Sequence, residues 1–118
     1  MANQVLIAHD DAFAANVIKE NLKSLGVESD IVHDGQECCE KLESNGDEYY
    51  AVLMDFYMPE MEGLEATRCI KDLGLATYVV GITSDKAPEA IQMGYDSGMD
   101  KVLVKPISIK DLEESLLK

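Results

Sequence analysis

Ala51-Val52-Leu53-Met54-Asp55-Phe56-Tyr57 sets an unbroken apolar run directly against a carboxylate. Such a run suits a strand covered on both faces, because neither side of its pleat has to meet water. Further short runs recur along the 118 residues at Val5 to Ala8, Val27 to Val32, Tyr78 to Ile82 and Val102 to Val104. Val27-Glu28-Ser29-Asp30-Ile31-Val32 is the more polar of them and is expected at a sheet edge.

Segments with helical spacing separate the runs. Phe13, Val17, Leu22 and Leu25 form an apolar stripe that Gly26 is placed to end. Cys38, Cys39 and Leu42 belong to a second helix stopping near Gly46, and Leu64, Ile70 and Leu73 to a third before Gly74. A fourth can start at Pro88, a residue suited to a first helical turn. Ser108-Ile109-Lys110-Asp111 opens the fifth in the manner of a capping box, with Ile109, Leu112 and Leu116 expected inside. Strand and helix alternate five times, which predicts an α/β fold, most simply a doubly wound, five-stranded parallel sheet with five helices. No repeat, low-complexity tract or linker interrupts the chain, so a single domain over 1–118 without an effector segment is expected.

Composition narrows the function classes. Ten Lys+Arg against 23 Asp+Glu give a formal charge of −13, a field that repels nucleic-acid phosphates and anionic membranes. Neither is expected as a partner. Cys38, Cys39 and Cys69 lack the spacing of a disulfide framework or a zinc site and suit reduced core thiols in the cytoplasm. The apolar start, Val5 to Ala8, is too short for a secretory signal and meets His9-Asp10-Asp11 at once.

In the order 2-1-3-4-5 the ligand crevice lies beyond the carboxyl ends of strands one and three. His9-Asp10-Asp11 and Asp55-Phe56-Tyr57 meet there. Clustered carboxylates need a cation, and magnesium favours one or two of them with water and phosphate oxygen. Asp10 and Asp55 can supply these, and a backbone carbonyl beyond Asp55 a further oxygen. Thr83 in Gly81-Ile82-Thr83-Ser84 and Lys105 in Val104-Lys105-Pro106 bring a hydroxyl and an ammonium to the same edge. A nucleophilic Asp55, a metal, a hydroxyl and a lysine are the parts that spread charge in phosphoryl transfer.

Val5-Leu6-Ile7-Ala8-His9-Asp10, Val52-Leu53-Met54-Asp55 with Met58-Pro59 and Gly63, Ile82-Thr83-Ser84 and Val104-Lys105-Pro106 together resemble the response-regulator receiver family of two-component phosphorelays. The resemblance covers nearly the whole chain and implies a flavodoxin-like strand order. It implies that Asp55 accepts a phosphoryl group from phosphohistidine on a histidine kinase or histidine phosphotransfer protein, switching protein–protein interactions. It further implies that Asp10, Asp55 and the Tyr57 carbonyl hold Mg²⁺, that Thr83 and Lys105 contact the phosphoryl oxygens, and that the Lys105-Pro106 bond is cis. Such a domain catalyses only its own phosphorylation and dephosphorylation. Glu65-Ala66-Thr67-Arg68 and Val80-Gly81-Ile82-Thr83-Ser84 are similar to receivers of plant hybrid histidine kinases and stand-alone plant regulators, as well as to bacterial ones. A monomer or weak dimer is expected.

The chain departs from that family at named positions. Receivers usually place two acids at the end of strand one. Aligning on Val5 to Ala8 and Gly26 puts His9 first and Asp10 second, whereas pairing Asp10 with Asp11 shortens the spacing to Gly26 by one. His9 in that place is expected to weaken metal binding and make it more pH-sensitive. Val102 stands where the family usually has a Tyr or Phe that follows the Thr hydroxyl. Tyr57 and Asp85 flank the site, and the Tyr57 ring is expected to slow attack by water. His33, beside Asp34-Gly35, reads as structural.

The other functional reading is a degenerate receiver that only binds protein. A haloacid-dehalogenase-like phosphatase would want a second acid where Tyr57 stands, and a flavin protein would want a hydroxyl-rich loop after strand one.

Overall fold

A computed structural model describes residues 4–58 and 61–116. Pro59 and Glu60, within the Met58-Pro59-Glu60-Met61 loop, lie outside the described residues. The strands are β1 (Gln4–Ala8), β2 (Glu28–Val32), β3 (Tyr49–Asp55), β4 (Tyr78–Thr83) and β5 (Lys101–Val104). The helices are α1 (Ala12–Ser24), α2 (Gly35–Asn45), α3 (Gly63–Asp72), α4 (Pro88–Asp96) and α5 (Ile109–Leu116), and a short 3-10 turn at Gly46–Glu48 leads into β3. All the strands pair in parallel, in the order β2-β1-β3-β4-β5. The polar run is the edge strand β2, as its composition predicts.

The apolar runs are continuous because each strand feeds two cores. Successive side chains point to opposite faces. Leu6, Ala8, Val52 and Met54 pack with Cys38, Leu42 and Ile70 of α2 and α3. Val5, Ile7, Ala51 and Leu53 pack with Ile18, Leu22 and Leu112 of α1 and α5. A polar residue in the middle of β1 or β3 would be buried on either face, and so the charged residues collect at the strand ends.

Helix boundaries follow local chemistry. Gly26, at φ +81°, ends α1 by turning left-handed, with Gly26 N–H donating to Lys23 O and Val27 N–H to Leu22 O. Pro88 takes the first position of α4. Ser108 and Asp111 exchange reciprocal bonds of 3.0 Å at the start of α5, the expected capping box.

Helix faces depart from the expected stripes. On α1 the buried residues are Ala15, Ile18 and Leu22, while Phe13 is 79% exposed and Val17 is also exposed. Leu22 serves both patterns, but small Ala15 lets the helix approach the sheet and so decides the phase. Ile109, expected inside, is exposed because it sits on the first turn of α5, ahead of the buried Leu112 and Leu116. Leu73, just past the end of α3, is exposed as well.

Cys38 and Cys39 are buried and Cys69 partly so, all free thiols. Burial pushes the Cys38 and Cys39 thiols up, and Cys39, which also feels the neighbouring Cys69, rises from 9.0 to about 12. The folded state therefore keeps protons that the unfolded chain releases above its ordinary thiol value. Their stabilising effect is complete below pH 9 and fades as the pH rises through the folded values. Urea unfolding is expected to show stability falling above that pH by up to about 1.4 kcal/mol per unit for each thiol. Cys39→Ala is expected to flatten the slope, and an unchanged slope would refute the assignment.

Candidate functional site

The chain leaves β1 towards β2 and leaves β3 towards β4, so their carboxyl ends open a crevice at the point where the winding reverses. Each ladder runs one bond past the strand end. His9 N–H donates to Val32 O at 3.0 Å, Phe56 N–H to Ile82 O at 3.0 Å, and Lys105 N–H to Thr83 O at 2.8 Å. These bonds hold the backbone of the site residues as firmly as the sheet itself.

Asp55 ends β3 and is only 5% exposed, and His9 is 3% exposed. His9 Nδ1 lies 3.5 Å from Asp55 Oδ2 and 3.6 Å from Asp10 Oδ1, too far for good hydrogen bonds. The Asp11 backbone N–H, which can only donate, points at the same Nδ1 from 3.1 Å. In the tautomer protonated at Nε2, that nitrogen offers the ring's lone pair. Lys105 Nζ stands 3.6 Å from Asp55 Oδ1 and 3.4 Å from His9 Nε2. Ligand atoms of His9, Asp10 and Asp55 all fall within 4.8 Å of one another, a set able to hold a metal ion.

Asp11 takes no part in that set. Its carboxylate caps α1, accepting from Phe13 N–H at 3.0 Å and Ala14 N–H at 3.2 Å. The two alternatives for the end of β1 thus resolve in favour of His9 and Asp10. An N-cap must precede its helix directly, which fixes Asp11 outside the crevice.

Thr83 lies one residue past Ile82, the β4 partner of Asp55, and is fully buried. Its hydroxyl oxygen accepts from Asp85 N–H at 3.1 Å. Tyr57 is exposed, in the loop after β3. Gly63 N–H closes that loop by donating to Phe56 O at 2.8 Å, and Gly35 N–H ties it to α2 through Met61 O at 3.1 Å. The Lys105-Pro106 bond is cis. His33 Nδ1 sits 3.2 Å from the His9 carbonyl, a structural contact as expected.

Two features were not read in the sequence. Tyr95 of α4 reaches β5, where its hydroxyl accepts from Val102 N–H at 3.2 Å, so a ring lies beside Val102 although β5 has none of its own. Only a tyrosine in the preceding helix hinted at this. Phe13, Val17 and Pro106 border an open groove with His9 and Lys105, putting apolar surface next to the site.

The response regulator receiver domain model matches residues 5–117. Sensor histidine kinase RcsC of Salmonella typhi is 33% identical over 112 residues, 95% of this chain and 12% of that protein. The osmosensing histidine protein kinase SLN1 of Saccharomyces cerevisiae is 34% identical over 118 residues, 96% of this chain and 10% of that protein. The chain thus spans about a tenth of the length of these relatives. The receiver domain of sensor histidine kinase PA1611 from Pseudomonas aeruginosa PAO1, with a magnesium ion coordinated in its active-site cleft, superposes with a TM-score of 0.86 at 26% identity, over 97% of this chain and 93% of that one. A Francisella response regulator receiver domain also has a TM-score of 0.86, at 28% identity over 93% of this chain and 89% of that one. With this fold, this crevice and a family match over almost its whole length, the chain belongs to the response regulator receiver domains, the phosphoacceptor modules of two-component signalling.

Proposed function

We propose that Asp55 accepts a phosphoryl group from a phosphohistidine on a histidine kinase or phosphotransfer protein. The observation that carries this reading is the meeting of a buried Asp55 with Lys105 Nζ at 3.6 Å and the neighbouring Asp10, at the crevice of a receiver fold. A carboxylate oxygen of Asp55 attacks phosphorus, and the O–P bond forms as the P–N bond of the donor breaks. The donor imidazole leaves with the electron pair and takes a proton from water. Lys105 and the Thr83 hydroxyl follow the phosphoryl oxygens, where charge-assisted donors stabilise the transferring group. Two converging carboxylates suit a divalent cation, and magnesium held by Asp10, Asp55 and the Tyr57 carbonyl would neutralise charge on the phosphoryl oxygens. Later attack by water regenerates the Asp55 carboxylate and releases phosphate.

A phosphohistidine partner must approach over the open crevice. Phe13 and Val17, exposed at its border, supply an apolar footing for that partner. The free thiols support a reducing, cytoplasmic setting. Among the described residues no helix is long and apolar enough to cross a membrane.

Intact-mass measurement after incubation with acetyl phosphate tests the reading. One added phosphoryl group is expected with a divalent cation and none after chelation. No gain with magnesium or manganese would leave the protein-binding reading in its place.

A further inference from the structure

The third donor of the metal set is an imidazole, and this changes which cation the crevice prefers. We propose that His9 Nδ1 is itself a ligand and that the site selects manganese over magnesium. The inference rests on reading Asp55 as part of a metal-dependent phosphoacceptor site, and it goes further by assigning His9 and the metal.

Three lone-pair atoms, His9 Nδ1, Asp10 Oδ1 and Asp55 Oδ2, converge in the crevice. The Asp11 N–H approaches Nδ1 from 3.1 Å, so this nitrogen already faces a donor, and a metal binds the tautomer that carries its proton on Nε2. Neighbouring ligands of an octahedral ion with ~2.1 Å bonds stand about 3.0 Å apart, so the observed 3.5 and 3.6 Å need to close by only about half an ångström. Asp11 is exposed, and water can take over its N–H when the metal takes the lone pair. His9 is buried and its N–H is bonded to the sheet at Val32 O, which keeps the imidazole facing the carboxylates.

Magnesium is a hard ion that favours oxygen and gains most from charge, while imidazole suits first-row transition ions. Replacing a carboxylate by a neutral ring therefore costs magnesium more than it costs manganese. One imidazole among carboxylate, carbonyl and water oxygens fits an octahedral manganese site better than the sulfur- or nitrogen-rich sets of zinc and copper. Lys105 is the one cation within reach of Asp55 among the described ion pairs, and it adds repulsion that a weakly held ion overcomes least well.

Calorimetric titration with manganese and with magnesium, on wild type and His9→Asp, tests the preference. The manganese-to-magnesium affinity ratio is expected to fall by roughly 10–100-fold in His9→Asp. An equal ratio in the two proteins would overturn the proposal. Electron spin-echo spectroscopy of manganese-loaded wild type needs no variant: nitrogen coupling that changes with ¹⁵N-histidine labelling and disappears in His9→Gln is the expected result. Bound manganese without nitrogen coupling would overturn the proposal. Phosphoryl gain is measured on the same samples. Nitrogen-coupled manganese without phosphorylation would uphold the metal assignment and remove the phosphoacceptor reading.

Discussion

Asp55→Asn is expected to abolish phosphoryl acceptance while leaving the fold intact. An amide has the shape of the carboxylate but lacks its nucleophilic anionic oxygen, so the O–P bond cannot form. The neighbours keep their places, because His9, Phe56 and Lys105 are fixed through backbone bonds to Val32, Ile82 and Thr83 rather than through the Asp55 side chain. Loss of the contact to Lys105, itself partly exposed, is offset by relief of repulsion from Asp10, and the net stability change is expected to stay within about 1 kcal/mol. Intact mass and urea unfolding check both halves. Phosphoryl gain retained in Asp55→Asn would move the acceptor to another group, with Asp10 the first to test.

Gly63→Ala is expected to damage both stability and chemistry. A Cβ at Gly63 would run into the Asp55 carbonyl oxygen, and it would lie 2.9 Å from Phe56 Cα and 3.0 Å from the Asp55 carbonyl carbon. All three are backbone atoms at the end of the central strand β3, and neighbouring bonds to β4 and to Gly63 itself resist their movement. The helix-propensity gain of alanine is at most about 1 kcal/mol, and the clash outweighs it. A loss of about 3 kcal/mol or more is expected in urea unfolding. Asp55 would shift with its carbonyl, and a displacement on the order of 1 Å is enough to slow a positioned reaction by about 100-fold. Gly46→Ala is the control. Its added methyl meets only the end of the Leu75 side chain, at 3.5 Å from Cδ2 and 3.9 Å from Cδ1, so a change within about 0.5 kcal/mol is expected. Similar losses at both positions would sink the steric argument.

The stand-out residues of the site were legible because of where burial stops. Asp55, Thr83 and Lys105 each follow an apolar run, and a strand buried on both faces puts its first tolerated polar group at its end. What each then touches was less legible. Val102 carries no ring, yet Tyr95 supplies one from α4, and nothing local to β5 records that approach.

By itself the sequence determined the α/β class, the strand order, the edge position of β2 and the cluster of chemical residues at one sheet edge. The class, the edge strand and the cluster follow from local rules of run length, period and turn residues, while the strand order follows from the resemblance to the receiver family, since right-handed crossovers allow more than one order. Tertiary structure alone decided the phase of α1, which buries Ala15 and Ile18 and leaves Phe13 and Val17 beside the crevice. It also decided that Asp11 caps a helix while His9 turns Nδ1 towards Asp10 and Asp55. Both choices depend on how closely a helix approaches a sheet built from distant segments. Apolar spacing leaves two neighbouring faces of α1 nearly equal, and only packing against β1 and α5 separates them.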